Sequence, residues 1–481
     1  MRLIHPLIIL RILSTILLIE TASFLLCLPI AFIYHESPWP FILSAISTAL
    51  MFLIFHQISQ KADNTNFSNR DGFLAVTLSW VIFSIMGTLP YIYSGTIPSF
   101  VNAFFESTSG FTTTGSTILA DVEILPYSIL FWRSLTHWIG GLGIIVLVII
   151  ILPSLKITGA QLFSLESSLK EKIHPKTKAV GFRILFIYLG LTLAETFLLN
   201  IGDMTFFDSI CHSFGTVATG GFSTKNNSLQ FYSSYNQYIV MIFMFLAGTS
   251  QVIYYYLFKL NFKKIKQNDE LWFYIFIVIV SGAVATIILL FNSSRSLEEA
   301  FREGFFQIVS IITCTGFSSA DYLLWPATGV FLIFIMMFAG GSTGSTSGGI
   351  KMARHLIVLK NISGVFRKLK HPNLILRIRL NGKILDENTN ISILSFIMLY
   401  LFLFITGSII IVIMGVDPVT ASSSVASCMA AIGPGLGNTG PMSNYFQMPE
   451  SAKIVLSLLM IIGRLEIITV FAIFTRSFWK L

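Results

Sequence analysis

The chain is 481 residues long, 54% hydrophobic and 11% charged, with 44 phenylalanines and a net charge of +8; its mean hydropathy is +0.78. These values exclude a soluble globular domain and describe a protein that crosses a membrane many times. Cys27, Cys211, Cys314 and Cys428 stand singly in apolar surroundings, which excludes a disulfide framework or a paired-cysteine zinc site.

A helix needs about twenty apolar residues to cross ~30 Å of hydrocarbon. The first such run, 12–33, lacks a small-residue cleavage site followed by a polar mature domain, so it is expected to be a retained helix and not a signal peptide. Runs at 40–58 and 72–93 follow. Next comes "FVNAFFESTS", too brief to span, then the polar loop "GFTTTGST" at 110–117, then a returning run at 127–152. Arg133 lies near the start of that run and is expected to snorkel to the outer surface; His137, like His56, reads as a helix-packing histidine. Runs at 180–201 and 236–258 flank a second loop, "FGTVATGGFSTKN". Runs at 271–291 and 323–360 flank a third, "IITCTGFSSADY", and runs at 391–414 and 452–478 flank a fourth, "AAIGPGLGNTGP".

Two of these runs carry unusual residues. The run 323–360 is too long for one crossing, and "AGGSTGSTSGG" interrupts it near mid-bilayer, counting ~1.5 Å per residue. Gly344 and Gly349 have the spacing of a phosphate-binding loop, but Ile350 stands where that motif requires Lys. The expectation is instead a small-residue loop lying across a conduit, free to move. In the last run Arg464 sits near mid-membrane, where an ionised side chain is costly unless it faces protein or water. Glu466, two residues on, does not share its helix face, so Arg464 is expected to face water beside a cation path.

With the N-terminus inside, inner connections hold 24 of the 31 basic residues, and outer ones only Lys225, Arg295, Arg302 and Lys453. Arg133, Lys351 and Arg464 fall within spans. This asymmetry accounts for the net charge without nucleic acid as a partner. The inner basic segment 367–383 offers a surface to anionic lipid or a cytoplasmic partner. Outside, Asp121, Glu123 and Asp321 follow the first and third loops, where acidic groups would raise the local cation concentration.

The pattern of short helix, Thr/Ser/Gly loop and long returning helix occurs four times. Aligned on one glycine each, the loops give Thr114–Gly115, Thr219–Gly220, Thr315–Gly316 and Pro434–Gly435, with Thr113 and Gly433 adjoining. Non-helical backbone is tolerated at membrane depth only where protein buries it or where it lines a wet cavity. Four such loops can surround one axis, their carbonyls and threonine hydroxyls replacing the water shell of a monovalent cation. Glycine permits the backbone conformations this demands. Short helices aimed at the axis end there with the partial negative charge of their C-termini. The fourth loop has Pro434 where the others have threonine, so one hydroxyl is missing.

The expected fold class is therefore an all-α polytopic membrane protein. Two N-terminal helices (1–70) precede four helix–pore loop–helix repeats, at 71–152, 180–258, 271–360 and 391–481, arranged pseudo-fourfold around one ion pore. Cation binding is expected at Thr114, Thr219, Thr315 and Gly435. Gating is expected of Gly340, Gly341, Ser342, Thr343, Gly344, Ser345, Gly348, Gly349 and Lys351 in the intramembrane loop, together with Arg464. No converging acid, base or metal set accompanies Glu20, Glu106, Glu195 and Glu466, so no enzyme is expected.

These loops, together with "HWIGGLGI" at 137–144, "GGSTGSTSGGIK" at 340–351 and "GRLEI" at 463–467, resemble the superfamily of K⁺ transporters that includes Trk, Ktr and HKT proteins. The resemblance covers nearly the whole chain. The two extra N-terminal helices are more similar to bacterial Trk membrane subunits than to Ktr. The resemblance implies K⁺ as the transported ion, with no covalently bound cofactor, and uptake across the bacterial cytoplasmic membrane. It also implies a homodimer with one pore per subunit and a cytoplasmic nucleotide-binding regulatory subunit of the TrkA type. Passage through a gated channel and carriage coupled to H⁺ or Na⁺ are both open within that superfamily.

Overall fold

The computed structural model describes residues 4–60, 68–146, 173–292, 294–374 and 377–479. Part of the inner basic set, Arg2, Lys61, Lys156, Lys170, Lys172 and Lys480, lies outside the described residues, as does the end of the run 127–152.

The chain begins with two long antiparallel helices, α1 (Pro6–Ile33) and α2 (Trp39–Ser59). Then come α3 (Asn69–Met86), a one-turn α4 (Leu89–Tyr93), the short α5 (Phe100–Phe111) and α6 (Tyr127–Val146). The second unit has α7 (Ile173–Ile201), the short α8 (Phe206–Val217), α9 (Ser234–Ala247) and α10 (Gln251–Phe258), followed by a basic turn of helix, α11 (Phe262–Lys266). The third has α12 (Asp269–Asn292), α13 (Leu297–Ile312), α14 (Ala327–Met336) and α15 (Met352–Lys370). A two-residue hairpin, Arg379–Leu380 against Lys383–Ile384, leads into α16 (Glu387–Ile413), α17 (Pro418–Ala430), α18 (Glu450–Arg464), α19 (Ile467–Ile473) and α20 (Arg476–Trp479).

Among the described residues six helices are long and apolar enough to cross a membrane, or eight if each of two bent pairs is one span. The expected run 236–258 turns by 94° between α9 and α10, and the run 452–478 turns by 109° between α18 and α19. The first bend falls at Gly248-Thr249-Ser250, small residues that leave the helix no side-chain scaffold. The second falls at Leu465-Glu466, where Glu466 has φ of +64° and its carboxylate is bound by Arg354 at 2.5 Å. The long third run breaks as expected, into α14 and α15.

The four short helices begin at Ser99, Thr205, Ser296 and Asp417. Three of these residues cap with their side chains, the type of residue that satisfies the free amides of a first helical turn. Polarity is distributed inside out. Phe186, Phe197, Phe276 and Phe402 are exposed on the long helices, toward the place of lipid, while Ser107, Thr108, Ser109 and Thr112 are fully buried at the centre.

Candidate functional site

Each short helix ends in one and the same way. One or two residues past its last turn the chain takes a left-handed conformation, with φ of +53° at Thr113, +55° at Thr219 and +57° at Cys314, each after a right-handed C-cap, and +59° at Ala431, itself the C-cap. The amide of that left-handed residue bonds the carbonyl three residues back. The amide after it bonds the carbonyl five residues back, with Thr114 on Ser109 at 2.8 Å, Gly220 on Gly215 at 2.7 Å, Thr315 on Ser310 at 2.9 Å and Ile432 on Ser427 at 3.0 Å. A positive-φ glycine follows in every loop: Gly115 (+81°), Gly221 (+81°), Gly316 (+80°) and Gly433 (+106°).

The register thus differs from the expected one in two loops. Gly221, not Gly220, matches Gly115 and Gly316, and in the fourth loop the match is Gly433, not Gly435. Sequence offered more than one candidate glycine in each of these loops, and the backbone conformation distinguishes them. Thr219 is accordingly the counterpart of Thr113, while Gly220 is the counterpart of Thr114. Pro434 and Gly435 lie beyond the ring, and Gly435 presents its carbonyl to the Tyr322 hydroxyl at 2.7 Å. The threonine hydroxyls turn sideways: Thr114 bonds Thr112 at 2.7 Å, Thr315 bonds Thr313 at 2.8 Å, and Thr219 donates to the Ala218 carbonyl at 2.6 Å. The buried Thr113 hydroxyl makes no hydrogen bond among the described residues.

The four limbs close on one another. A Cβ on Gly115 would stand 2.1 Å from the carbonyl oxygen of Gly220, one on Gly221 2.0 Å from that of Thr315, one on Gly316 1.8 Å from that of Ile432, and one on Gly433 2.7 Å from that of Thr114. Each limb thus abuts the next, and the fourth abuts the first. The four glycines line one vestibule.

Behind the ring, one position in every short helix reaches the outgoing limb of its own loop. Glu106 accepts from the amide of Ile118 at 2.9 Å, His212 bonds the Ser223 hydroxyl at 2.9 Å, Gln307 donates to the Ala320 carbonyl at 3.0 Å, and Ser424 bonds the Thr439 hydroxyl at 2.9 Å. Arg133 does not snorkel outward. It is 2% exposed, pairs with Glu106 at 2.9 Å, reaches the Ser223 carbonyl at 3.2 Å and lies 4.2 Å from the Phe222 ring centre. An inward carboxylate close by outweighs the pull of the interface. His137 is buried and satisfied, as expected of a packing residue, and it also joins two limbs. The Phe222 amide donates to Nε2 at 3.2 Å, which leaves Nδ1 to donate to the Gly110 carbonyl at 2.8 Å.

Removing one partner of a buried ion pair strands the other charge, at a cost of about 3–5 kcal/mol. Arg133→Ala should therefore lower the melting temperature of the detergent-solubilised protein by several degrees. The double variant Arg133→Gln/Glu106→Gln should recover part of that loss in the same measurement.

At the mouth, Asp121 accepts from the Asn226 side chain at 2.8 Å, which holds its carboxyl below the usual range and keeps it charged in mildly acidic solution. Glu123 faces Lys225 at 3.6 Å. Asp321 caps its own turn, accepting from the Leu323 amide at 2.9 Å.

Below the ring, residues 340–351 run as an extended loop, closed by a bridge between Ala339 and Ile350. Gly344 (+78°) and Gly349 (+67°) supply its positive-φ turns, Gly340 packs against the Gly348 carbonyl, and Ser345 bonds the Ser342 carbonyl at 2.7 Å. The loop grips the C-terminal ends of three short helices. Thr346 Oγ1 donates to the Val217 carbonyl at 3.0 Å, Ser347 Oγ to that of Thr313 at 2.7 Å, and a Cβ on Gly348 would meet that of Ala430 at 2.1 Å. Ser342 also donates its amide to the Gly248 carbonyl at the α9–α10 bend, at 2.8 Å.

Three charged side chains hold the loop. Glu270, absent from the expected set, accepts from the amides of Thr343 at 2.6 Å and Ala353 at 3.0 Å. Lys351 donates to the Ser347 carbonyl. Arg464 donates to the Thr346 carbonyl at 2.8 Å and the Gly140 carbonyl at 3.4 Å. It is 4% exposed, so the expected water-facing arginine is instead a buried tether, because the loop brings carbonyl acceptors to it. Glu466 is not its partner, being taken by Arg354. The cysteines are buried and free, and no cluster of potential metal ligands occurs among the described residues.

The family model for TrkH, described as a cation transport protein, matches residues 41–480. The chain is 35% identical over 427 residues to the Trk system potassium uptake protein TrkH of Escherichia coli K12, covering 87% of this chain and 88% of that protein. It is 31% identical over 478 residues to the TrkH of Halomonas elongata, covering 98% and 99% of the two. The crystal structure of the potassium transporter TrkH from Vibrio parahaemolyticus matches with a TM-score of 0.89 at 31% identity, over 98% of this chain and 99% of that one.

Proposed function

The chain belongs to the TrkH family of Trk-system potassium uptake transporters, membrane proteins and not enzymes, and from that premise we propose that it passes K⁺ inward through a gated pore, with the four-limbed ring as filter. The single observation that carries this reading is the closed succession of contacts from Gly115 to Gly220, Gly221 to Thr315, Gly316 to Ile432 and Gly433 to Thr114. The carbonyls of Thr114, Gly220, Thr315 and Ile432 accept no hydrogen bond among the described residues, and four unengaged carbonyls at one level are what a dehydrating monovalent cation requires. The short-helix C-termini below them add negative potential.

In this reading the loop 340–351 is the gate. It lies against three of the four helix ends, and Arg464 extends the closure to the first unit through Gly140. Its hydroxyls occupy the Val217 and Thr313 carbonyls, acceptors that would otherwise help solvate a cation below the filter. The protein sits in the bacterial cytoplasmic membrane with its N-terminus inside, as a homodimer, and the inner basic surface meets lipid and a nucleotide-binding regulatory subunit of the TrkA type.

Purified protein in liposomes should accumulate radioactive Rb⁺ down its own gradient with no H⁺ or Na⁺ gradient imposed. Uptake that appears only when such a gradient is supplied would replace the pore with a coupled carrier.

A further inference from the structure

Building on the pore reading, we infer that the outermost ring of the filter is threefold: the Gly433 carbonyl is withdrawn from the ion, and Tyr445 and Ser116 are the residues that withdraw it. The carbonyls of Gly115, Gly221 and Gly316 accept no hydrogen bond among the described residues, and these three glycines are half-buried on the vestibule. Gly433 differs in each respect. It is buried, its φ is +106° where the other three lie at +80° or +81°, and its carbonyl accepts two hydroxyls. One is the Tyr445 hydroxyl at 2.9 Å, the other the Ser116 hydroxyl of the first limb at 3.0 Å. Both donors are buried, Tyr445 at 2% exposure and Ser116 at 1%.

A carbonyl oxygen has two lone pairs, and two hydroxyl donors use both. Pro434, half-buried, takes the fourth place on the vestibule wall, and its hydrocarbon ring carries no oxygen for a cation. A cation at this level therefore meets three protein oxygens and a fourth side where its own water stays. Fewer coordinating dipoles mean weaker selection against a small, strongly hydrated ion. In this chain discrimination against Na⁺ falls to the ring below, where all four carbonyls are unengaged, and the outer level serves as an entry site that tolerates partial hydration. Tyr445 is held in place by its backbone, which donates to the Thr117 carbonyl at 2.8 Å, and by its ring, 5.3 Å from that of Phe105.

The test is Na⁺ competition against radioactive Rb⁺ uptake in liposomes, for Tyr445→Phe, Ser116→Ala and the double variant, with Gly221→Ala as the control for the pore reading. Each single change removes one donor and should raise the Na⁺ concentration needed to halve uptake by about fivefold, the worth of one hydrogen bond. The double variant should exceed either single one. If Gly221→Ala alters ion preference while Tyr445→Phe and Ser116→Ala leave it in place or move it toward Na⁺, the threefold ring is wrong and the pore stands. If none of the variants, Gly221→Ala included, alters preference, the pore reading itself fails and the threefold ring with it. Ser116→Ala removes its donor without touching the aromatic packing, so the inference stays testable should Tyr445→Phe fold poorly.

Discussion

Gly316→Ala should abolish selective Rb⁺ uptake while leaving the protein inserted in the membrane. Any Cβ there would lie 1.8 Å from the Ile432 carbonyl oxygen, and the residue's φ of +80° is closed to L side chains without strain. The contacting atom is backbone, so relief means displacing the fourth limb, and with it one carbonyl of the inner ring. Losing one preorganised oxygen ligand is comparable to removing one donor from an electrostatic site, about 2.7–4 kcal/mol, or roughly a hundredfold to a thousandfold in rate. Gly221→Ala, at 2.0 Å from the Thr315 carbonyl, should retain measurable uptake with its preference for Rb⁺ over Na⁺ altered. Gly435→Ala should be much milder on selectivity, because that residue lies outside the ring, its carbonyl held by Tyr322. Rb⁺ uptake with Na⁺ competition, on variants shown to be monodisperse, is the measurement. Equal effects at Gly316 and Gly435 would overturn the register that puts Gly433 in the ring.

The second large effect is expected at the gate. Arg464→Ala removes a charged donor from the Thr346 carbonyl, and a hydrogen bond to a charged group contributes about 1.5–3 kcal/mol. Lost from the closed state alone, that amounts to roughly a tenfold to hundredfold rise in the open population. Removing part of 341–348 takes away the proposed barrier itself and should raise Rb⁺ flux at least as far. Combining the two should give less than the product of their separate effects, since the arginine acts through the loop it tethers. Faster flux in neither variant, with folding intact, would place the gate elsewhere, at the inner surface where a regulatory subunit meets the chain.

Much of the architecture was legible in the sequence, because bilayer thickness fixes run length and helices alone satisfy their own backbone there. The apolar runs at 40–58 and 391–414 match α2 and α16 to within four residues at either end, and the run 12–33 ends with α1 but begins six residues late. The intramembrane break in 323–360 was equally plain from its length and its glycines. The bend at Gly248-Thr249-Ser250 had a signal in three consecutive small residues. The bend at Leu465-Glu466 had none beyond a second charge in an apolar run, since a left-handed glutamate depends on its partner Arg354. The site was legible as composition and not as register. Threonine and glycine marked the limbs, but Gly220 against Gly221, or Gly433 against Gly435, is settled by φ. Pairings were the least visible part. Glu106 with Arg133, Glu270 with Thr343, and Arg464 with Thr346 each join segments remote in sequence, and a lone charge in an apolar run does not reveal what it meets.

That one chain supplies all four limbs has a consequence for how the proposed filter can change. In a ring assembled from four copies of a subunit, every substitution lands four times at once, and a small ligand defect becomes a large one. Here a substitution lands once. Tyr445 and Ser116 could come to hold a single carbonyl, and a proline could settle beside it, without any matching event at Gly115, Gly221 or Gly316. Ion preference in the proposed filter is therefore adjustable in quarter-steps, and the four limbs are free to drift apart in sequence so long as each keeps its left-handed residue and its glycine.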